Sequence, residues 1–293
     1  MEDSLGTILT AMATPFTADL QVDRIAFARL AEYLLSSGSD GLVIAGTTGE
    51  SPTLSDDEKV ALFRDAAELA QGRGTVVAGA GSNDTAHSVA LTRRAEDAGV
   101  DAILAVTPYY NKPPERGLYA HFEAIAAATT LPVIVYNIPS RCSVDLSPEI
   151  LAGLAFVDNI VAVKQANPDL DESRRLRELA PEMGIYAGND DMLLDVLELG
   201  GWGGICVASH LVGPRMKELA ACVATGDHAA ARRINDELMP LFRMLFISSN
   251  PIPLKTALNL LGHEVGGLRL PLVDATDEER QQIEGELSRQ GLL

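Results

Sequence analysis

Two periodicities alternate along the chain: short runs of apolar, β-branched residues, and longer stretches in which apolar positions recur every three or four residues. The short runs cover residues 7–13, 41–45, 75–80, 102–107, 133–136, 160–164, 184–187 and 204–207. Near-continuous apolar runs bounded by polar residues predict strands buried on both faces, as in a parallel sheet. The stretches between them carry helix signals. Phe27, Leu30, Ala31 and Leu34 form one apolar face behind a cap at Asp23, and Ser55-Asp56-Asp57-Glu58 is a capping box ahead of Leu62, Ala66, Leu69 and Ala70. Ser147-Pro148 places a cap before a first-turn proline. Asp84 opens a helix that passes Val89 and Ala98 and that Gly99 stops.

Eight strands, each followed by a helix and joined by right-handed crossovers, close into an α/β fold of the (β/α)8 TIM-barrel type. An open doubly wound sheet is the competing architecture. It is disfavoured because Gly79-Ala80-Gly81-Ser82-Asn83-Asp84 lacks the third glycine of a dinucleotide-binding turn, and no phosphate-binding GxxxxGK[ST] loop is present. The division expected is a barrel with the catalytic site over residues 1–213 and a helical region packed on it over residues 214–293.

Composition narrows the partners. With 23 basic and 41 acidic residues the net charge is −18, which opposes nucleic acid or an anionic membrane as principal partner. A local pocket can still hold an anion. Cys142, Cys206 and Cys222 have no paired spacing, which suits reduced thiols. The acidic start Met1-Glu2-Asp3-Ser4 lacks the basic and apolar regions of a signal peptide, and no stretch approaches the length of a membrane span. A cytoplasmic protein is the expectation.

In a barrel of this kind the chemistry sits at the carboxyl ends of the strands, so those ends become a filter. Lys164 terminates the apolar run Ile160-Val161-Ala162-Val163. Burial disfavours an ammonium ion, and the neutral amine is the form that condenses with a carbonyl to a Schiff base. A lysine that snorkels to solvent is the bland alternative. After the second strand, Gly46-Thr47-Thr48-Gly49 offers two hydroxyls and glycine-freed amides, a cradle for a carboxylate or an ordinary βα loop. Tyr136 ends the fifth strand, as a core phenol or as the proton donor and acceptor beside a Schiff-base lysine. Arg141 follows in a loop stiffened by Pro139, where a guanidinium could grip a carboxylate. The five histidines are scattered without metal-ligand spacing, so neither a metal nor another cofactor is expected. Asp56-Asp57 and Asp190-Asp191 read as helix caps. There is no GxSxG elbow.

Taken together, Gly46-Thr47-Thr48-Gly49-Glu50-Ser51, Thr107-Pro108-Tyr109-Tyr110-Asn111, Tyr136-Asn137-Ile138-Pro139-Ser140-Arg141 and the strand-six Lys164 resemble the dihydrodipicolinate synthase / N-acetylneuraminate lyase family of class I aldolases. Thr14-Pro15-Phe16, Ala187-Gly188-Asn189-Asp190, the run from Gly204 to Ser209 and Asn250-Pro251-Ile252-Pro253-Leu254-Lys255 extend the resemblance from about residue 6 to 273. It implies a pyruvate imine on Lys164, a carboxylate cradle at Thr48 with Gly188 and Ile205 lining the pocket, and a proton relay of Tyr136, Thr47 and Tyr110. The residue matching Tyr110 serves a neighbouring subunit in that family, which implies a dimer as the smallest complete unit and a homotetramer as the assembly.

Arg141, with Leu268-Arg269-Leu270-Pro271-Leu272, resembles the synthase branch, in which that arginine holds the carboxylate of aspartate semialdehyde. The implied reaction joins pyruvate to aspartate semialdehyde on the route to diaminopimelate and lysine. A lyase or dehydratase for a polyhydroxylated keto acid, and a silent scaffold that only binds, are the rivals. Several positions depart from the family pattern: Gln165 where an acidic residue is usual, Asn189 for aspartate, and Cys142-Ser143 for Thr-Gly. Some members bind feedback lysine in an interface cleft through histidine and glutamate. Here Lys59 and His87 stand at those positions, beside Asn83 and Tyr109. Like charge and a lost carboxylate predict weak or no inhibition by lysine; inhibition at micromolar lysine would refute this.

Overall fold

Helix starts are set where capping side chains satisfy the first free amides. Asp23 accepts from the amides of Ile25 and Ala26 ahead of helix Arg24–Ser36, and Asp84 from Ala86 and His87 ahead of Thr85–Asp97. Ser55 and Glu58 cap each other's amides at the start of Asp56–Ala70. Asp56 and Asp57 are therefore first-turn residues, and Ser55 is the cap. Ser147 caps Pro148–Leu154. In the computed structural model, which describes residues 5–293, these helices return the chain to a sheet whose strands are all parallel. The acidic start at Met1–Ser4 lies outside the described residues.

The strands are β1 (Ile8–Ala11), β2 (Gly41–Ile44), β3 (Thr75–Gly79), β4 (Ala102–Val106), β5 (Val133–Asn137), β6 (Ile160–Gln165), β7 (Gly184–Ala187) and β8 (Gly203–Cys206). They close in sequence order, β8 pairing with β1, into a (β/α)8 barrel. Three strand ends differ from the pattern for identifiable reasons. The amide of Val207 is taken by the Asp190 carboxylate at 2.9 Å instead of the ladder, so β8 stops at Cys206. Gln165 pairs in register with Asn137 and Ala187, so β6 runs one residue past Lys164 and β5 one past Tyr136. Lys164 is thus the penultimate residue of its strand.

Two apolar cores result. One fills the barrel and holds Leu9, Val43, Val77, Leu104, Ile134, Ala162, Tyr186 and Ile205; the other lies between the sheet and its helices. The chain beyond β8 continues as helices Ser209–Ala224, His228–Met244, Ile252–Leu260 and Asp277–Arg289. The boundary expected at 213/214 falls inside the first of these, next to its kink at Val212 and Pro214. Among the described residues, no helix is long and apolar enough to cross a membrane.

Candidate active site

Lys164 and Tyr136 are register partners on adjacent strands, so the pleat turns both into the barrel at its carboxyl end. The Lys164 Nζ lies 4.3 Å from the centroid of the Tyr136 ring, a cation–π contact, and the side chain is 6% exposed. The Tyr136 carbonyl is fixed by both the amide (2.9 Å) and the hydroxyl (2.8 Å) of Thr107. A cavity of about 600 Å³ opens in front of the ring, lined by Thr47, Val106, Tyr109, Tyr136, Ile138 and Arg141 among others. Arg141 stands on the short turn Pro139–Cys142 and is exposed. Burial pushes the neighbouring Cys142 thiol up to about 11, against the pull of Arg141, so it is no nucleophile at neutral pH.

Thr48 is buried in the loop after β2, next to half-buried Thr47. Gly188 follows β7, with its amide donating to Gln165 O at 2.7 Å. A Cβ there would sit 2.7 Å from Ala166 Cβ and 2.8 Å from Gln165 O, so the close approach requires glycine. Ile205 points into the barrel core alongside Tyr136 and Tyr186. Tyr110 stands apart by its exposure: it is 90% exposed, with φ at +72°. Of the predicted site residues, Thr47, Tyr136 and Arg141 line the cavity, and Lys164, Thr48, Gly188, Ile205 and Tyr110 do not. Ala45, Glu50, Tyr110, Lys112 and Ser143 all take positive φ without being glycine. All five lie in loops after β2, β4 and β5, so backbone strain is concentrated at this rim.

Gln165, neutral where the pattern favours an acid, joins the strand ends. Its Oε1 accepts from Asn137 Nδ2 and the Asn167 amide, both at 3.0 Å. The cavity also runs past Ser51, Asp56, Lys59, Asn83 and His87. Two carboxylates line this stretch, Asp84 and Asp56; Asp56 contacts His87 Nε2 at 2.9 Å and lies 3.9 Å from the Lys59 amine. Burial lowers the pKa of Lys59, and Asp56 opposes that shift.

Several supporting residues stand in motifs that extend the resemblance, but their partners are not written in the local sequence. Asn250 Nδ2 donates to Thr48 Oγ1 at 2.9 Å across 202 positions of chain. Lys255 and Glu50 form a buried ion pair at 2.9 Å, and Lys255 also donates to the carbonyls of Thr14 and Gly267. Asp190 does not cap its own helix; one oxygen accepts from the amides of Val207 and Ala208, at 2.9 and 3.1 Å. Burial raises its carboxyl to about 6, which those two amides and the nearby Lys164 charge offset in part. Among the described residues, no group of three His, Cys, Asp or Glu side chains could hold a metal ion.

Comparison with known proteins shows the family. The chain is 50% identical to the 4-hydroxy-tetrahydrodipicolinate synthase of Moorella thermoacetica over 289 residues, covering 98% of this chain and 99% of that one. The dihydrodipicolinate synthase of Cyanidioschyzon merolae with lysine bound superposes with a TM-score of 0.97 at 42% identity, over 99% of both chains. The chloride-inhibited enzyme of Acinetobacter baumannii complexed with pyruvate gives 0.96 at 36% identity, over 99% of this chain and all of the other. The model of the dihydrodipicolinate synthetase family matches residues 4–290, and the chain belongs to that family.

Proposed function

We propose that this chain condenses pyruvate with L-aspartate 4-semialdehyde to 4-hydroxy-tetrahydrodipicolinate, the compound that the name of its half-identical relative gives as product. The observation that carries the reading is the Lys164 amine over the ring of Tyr136, a tyrosine that lines one cavity together with Thr47 and Arg141. The amine adds to the pyruvate ketone and water leaves, giving an imine whose methyl carbon loses a proton to form an enamine. That carbon attacks the aldehyde. The amino group of the second substrate then displaces Lys164 from the imine carbon, which closes the ring, so one water is lost overall.

Proton movement falls to Tyr136, Thr47 and Tyr110, whose hydroxyls can pass protons in both directions. The Thr48 hydroxyl holds the pyruvate carboxylate, Gly188 and Ile205 bound its pocket, and Arg141 receives the carboxylate of the semialdehyde. Tyr110, exposed and outside the lining of its own cavity, is assigned to the site of a second copy, within a homotetramer built as a dimer of dimers. Free Cys142, Cys206 and Cys222 fit the reducing cytoplasm.

Incubation with pyruvate followed by borohydride reduction is expected to leave a mass adduct on Lys164; its absence would defeat the reading. In a coupled assay with the semialdehyde, Arg141→Ala is expected to lower kcat/KM at least a hundredfold while the pyruvate adduct still forms. An unchanged rate would reassign the second substrate to one without that carboxylate.

A further inference from the structure

The loop after β2 is held from outside by residues far along the chain. Thr14 Oγ1 donates to Gly49 O at 2.7 Å. Glu50, in the left-handed region at φ +56°, is pinned by Lys255 and accepts from the Arg269 amide at 3.0 Å through its other oxygen. A Cβ on Gly49 would come within 3.1 Å of Met12 O and 3.2 Å of the Ala45 backbone, so the loop packs closely enough on the barrel that a side chain there would be crowded. Between these anchors lies Thr48, 2% exposed, its Oγ1 meeting the Nδ2 of Asn250, which is itself 6% exposed.

A hydroxyl has one proton and two lone pairs. The Asn250 amide occupies one lone pair of Thr48, and among the described residues no acceptor takes the Thr48 proton. The proton is therefore left to donate elsewhere. The Asn250 Oδ1 is buried and has no hydrogen-bond partner among the described residues. An orphaned buried carbonyl costs free energy, so the stability of the fold alone does not account for this side chain. We propose that Asn250 is a positioning residue for substrate binding: its amide holds the Thr48 oxygen as an acceptor, so that the Thr48 hydroxyl must donate to the pyruvate carboxylate. This rests on the reading of Lys164 as the pyruvate-imine lysine.

The test is a pyruvate titration of the full-length protein, read as borohydride-trapped adduct on Lys164 and as steady-state kinetics. Asn250→Ala is expected to raise the half-saturating pyruvate concentration and the pyruvate KM roughly ten- to hundredfold, the scale of one hydrogen bond to a charged group. The semialdehyde KM is expected to stay within about twofold, since that substrate does not touch Thr48. Thr48→Val should reproduce the pyruvate effect, and adding Asn250→Ala to it should change nothing more, because the hydroxyl through which Asn250 acts is gone. Asn250→Asp keeps the side chain's shape and so guards against a folding defect, checked by melting temperature. Its carboxylate can only accept, so it draws the Thr48 proton away from the substrate and is expected to weaken pyruvate at least as strongly as Asn250→Ala.

Unchanged pyruvate KM in the folded Asn250 variants, or a loss that multiplies with that of Thr48→Val, would overturn the inference. So would a fall in kcat and melting temperature with pyruvate KM intact, the mark of a structural role. Failure of the wild-type protein to form the Lys164 adduct would instead defeat the pyruvate reading beneath it.

Discussion

Asp190 ties the stability of the barrel mouth to pH at a single residue. In an unfolded chain its carboxyl titrates near 3.8; burial raises it to about 6 in the fold. Between those values the folded state holds a proton that the unfolded state has lost, so this contribution is present in full below 3.8 and is lost as pH rises through 6. Above 6 the fold carries a buried carboxylate whose Oδ2 has no hydrogen-bond partner among the described residues. Asp190→Asn keeps an oxygen for the Val207 and Ala208 amides and removes the charge. The variant is expected to gain on the parent by roughly 2–3 kcal/mol between pH 4 and pH 7 in urea unfolding, from 1.36 kcal/mol per pKa unit. A stability difference that stays level over that range would show that the buried charge is already compensated. At this scale the sequence was selectively legible. Lys164 and Tyr136 stand out because a polar group ends an apolar run, and that contrast is written in neighbouring positions. Asp190 and Asn250 gain their meaning from partners brought together by closure of the barrel, which no local pattern records, and Asp190 accordingly read as a helix cap.

The helices announced their own starts, because a cap and the amides it satisfies lie within three residues of each other. Strand ends were less legible, since they depend on what competes for the last amide: Asp190 cuts β8 short, while Gln165 prolongs β5 and β6. The element that least resembles its sequence appearance is the loop after β2. Gly46-Thr47-Thr48-Gly49 reads as a carboxylate cradle or an ordinary βα loop, and nothing in it shows that Glu50 beside it is locked to helix Ile252–Leu260 by a pair in which Lys255 is 1% exposed. Burial lowers the pKa of Lys255 and the Glu50 carboxylate opposes this, so each charge is tolerable only because of the other. Lys255→Met is expected to cost about 3–5 kcal/mol, because Glu50 is left as an unpaired buried charge. Pairing it with Glu50→Leu should cost less than the sum of the single replacements. Chemical denaturation of the four proteins measures this. Additive losses would mean that the carbonyls of Thr14 and Gly267, not the ion pair, are what Lys255 serves.

For the molecule as a whole, the order of strands and helices was enough to give the barrel, because eight parallel strands in sequence order have one economical closure. Its assembly is a separate matter, and Tyr110 connects the two. The residue belongs to the rim loop after β4, takes a left-handed conformation and projects into solvent, while its neighbour Tyr109 lines the cavity. An aromatic residue held in a strained conformation and left almost entirely exposed gains nothing for the single chain. If Tyr110 completes the site of a second copy, a site draws Lys164 from one chain and Tyr110 from another. Chains carrying Lys164→Ala and chains carrying Tyr110→Phe are then each nearly inactive alone. Mixed by co-refolding in equal amounts, half of the pairs are hybrid, and in each hybrid one of the two sites has both native residues. Activity is therefore expected to return to about a quarter of the wild-type value, the statistical share for a two-fold pair. Activity that remains at the level of the parent mutants, with hybrid formation verified by mass spectrometry, would place Tyr110 in the relay of its own chain or outside the relay altogether.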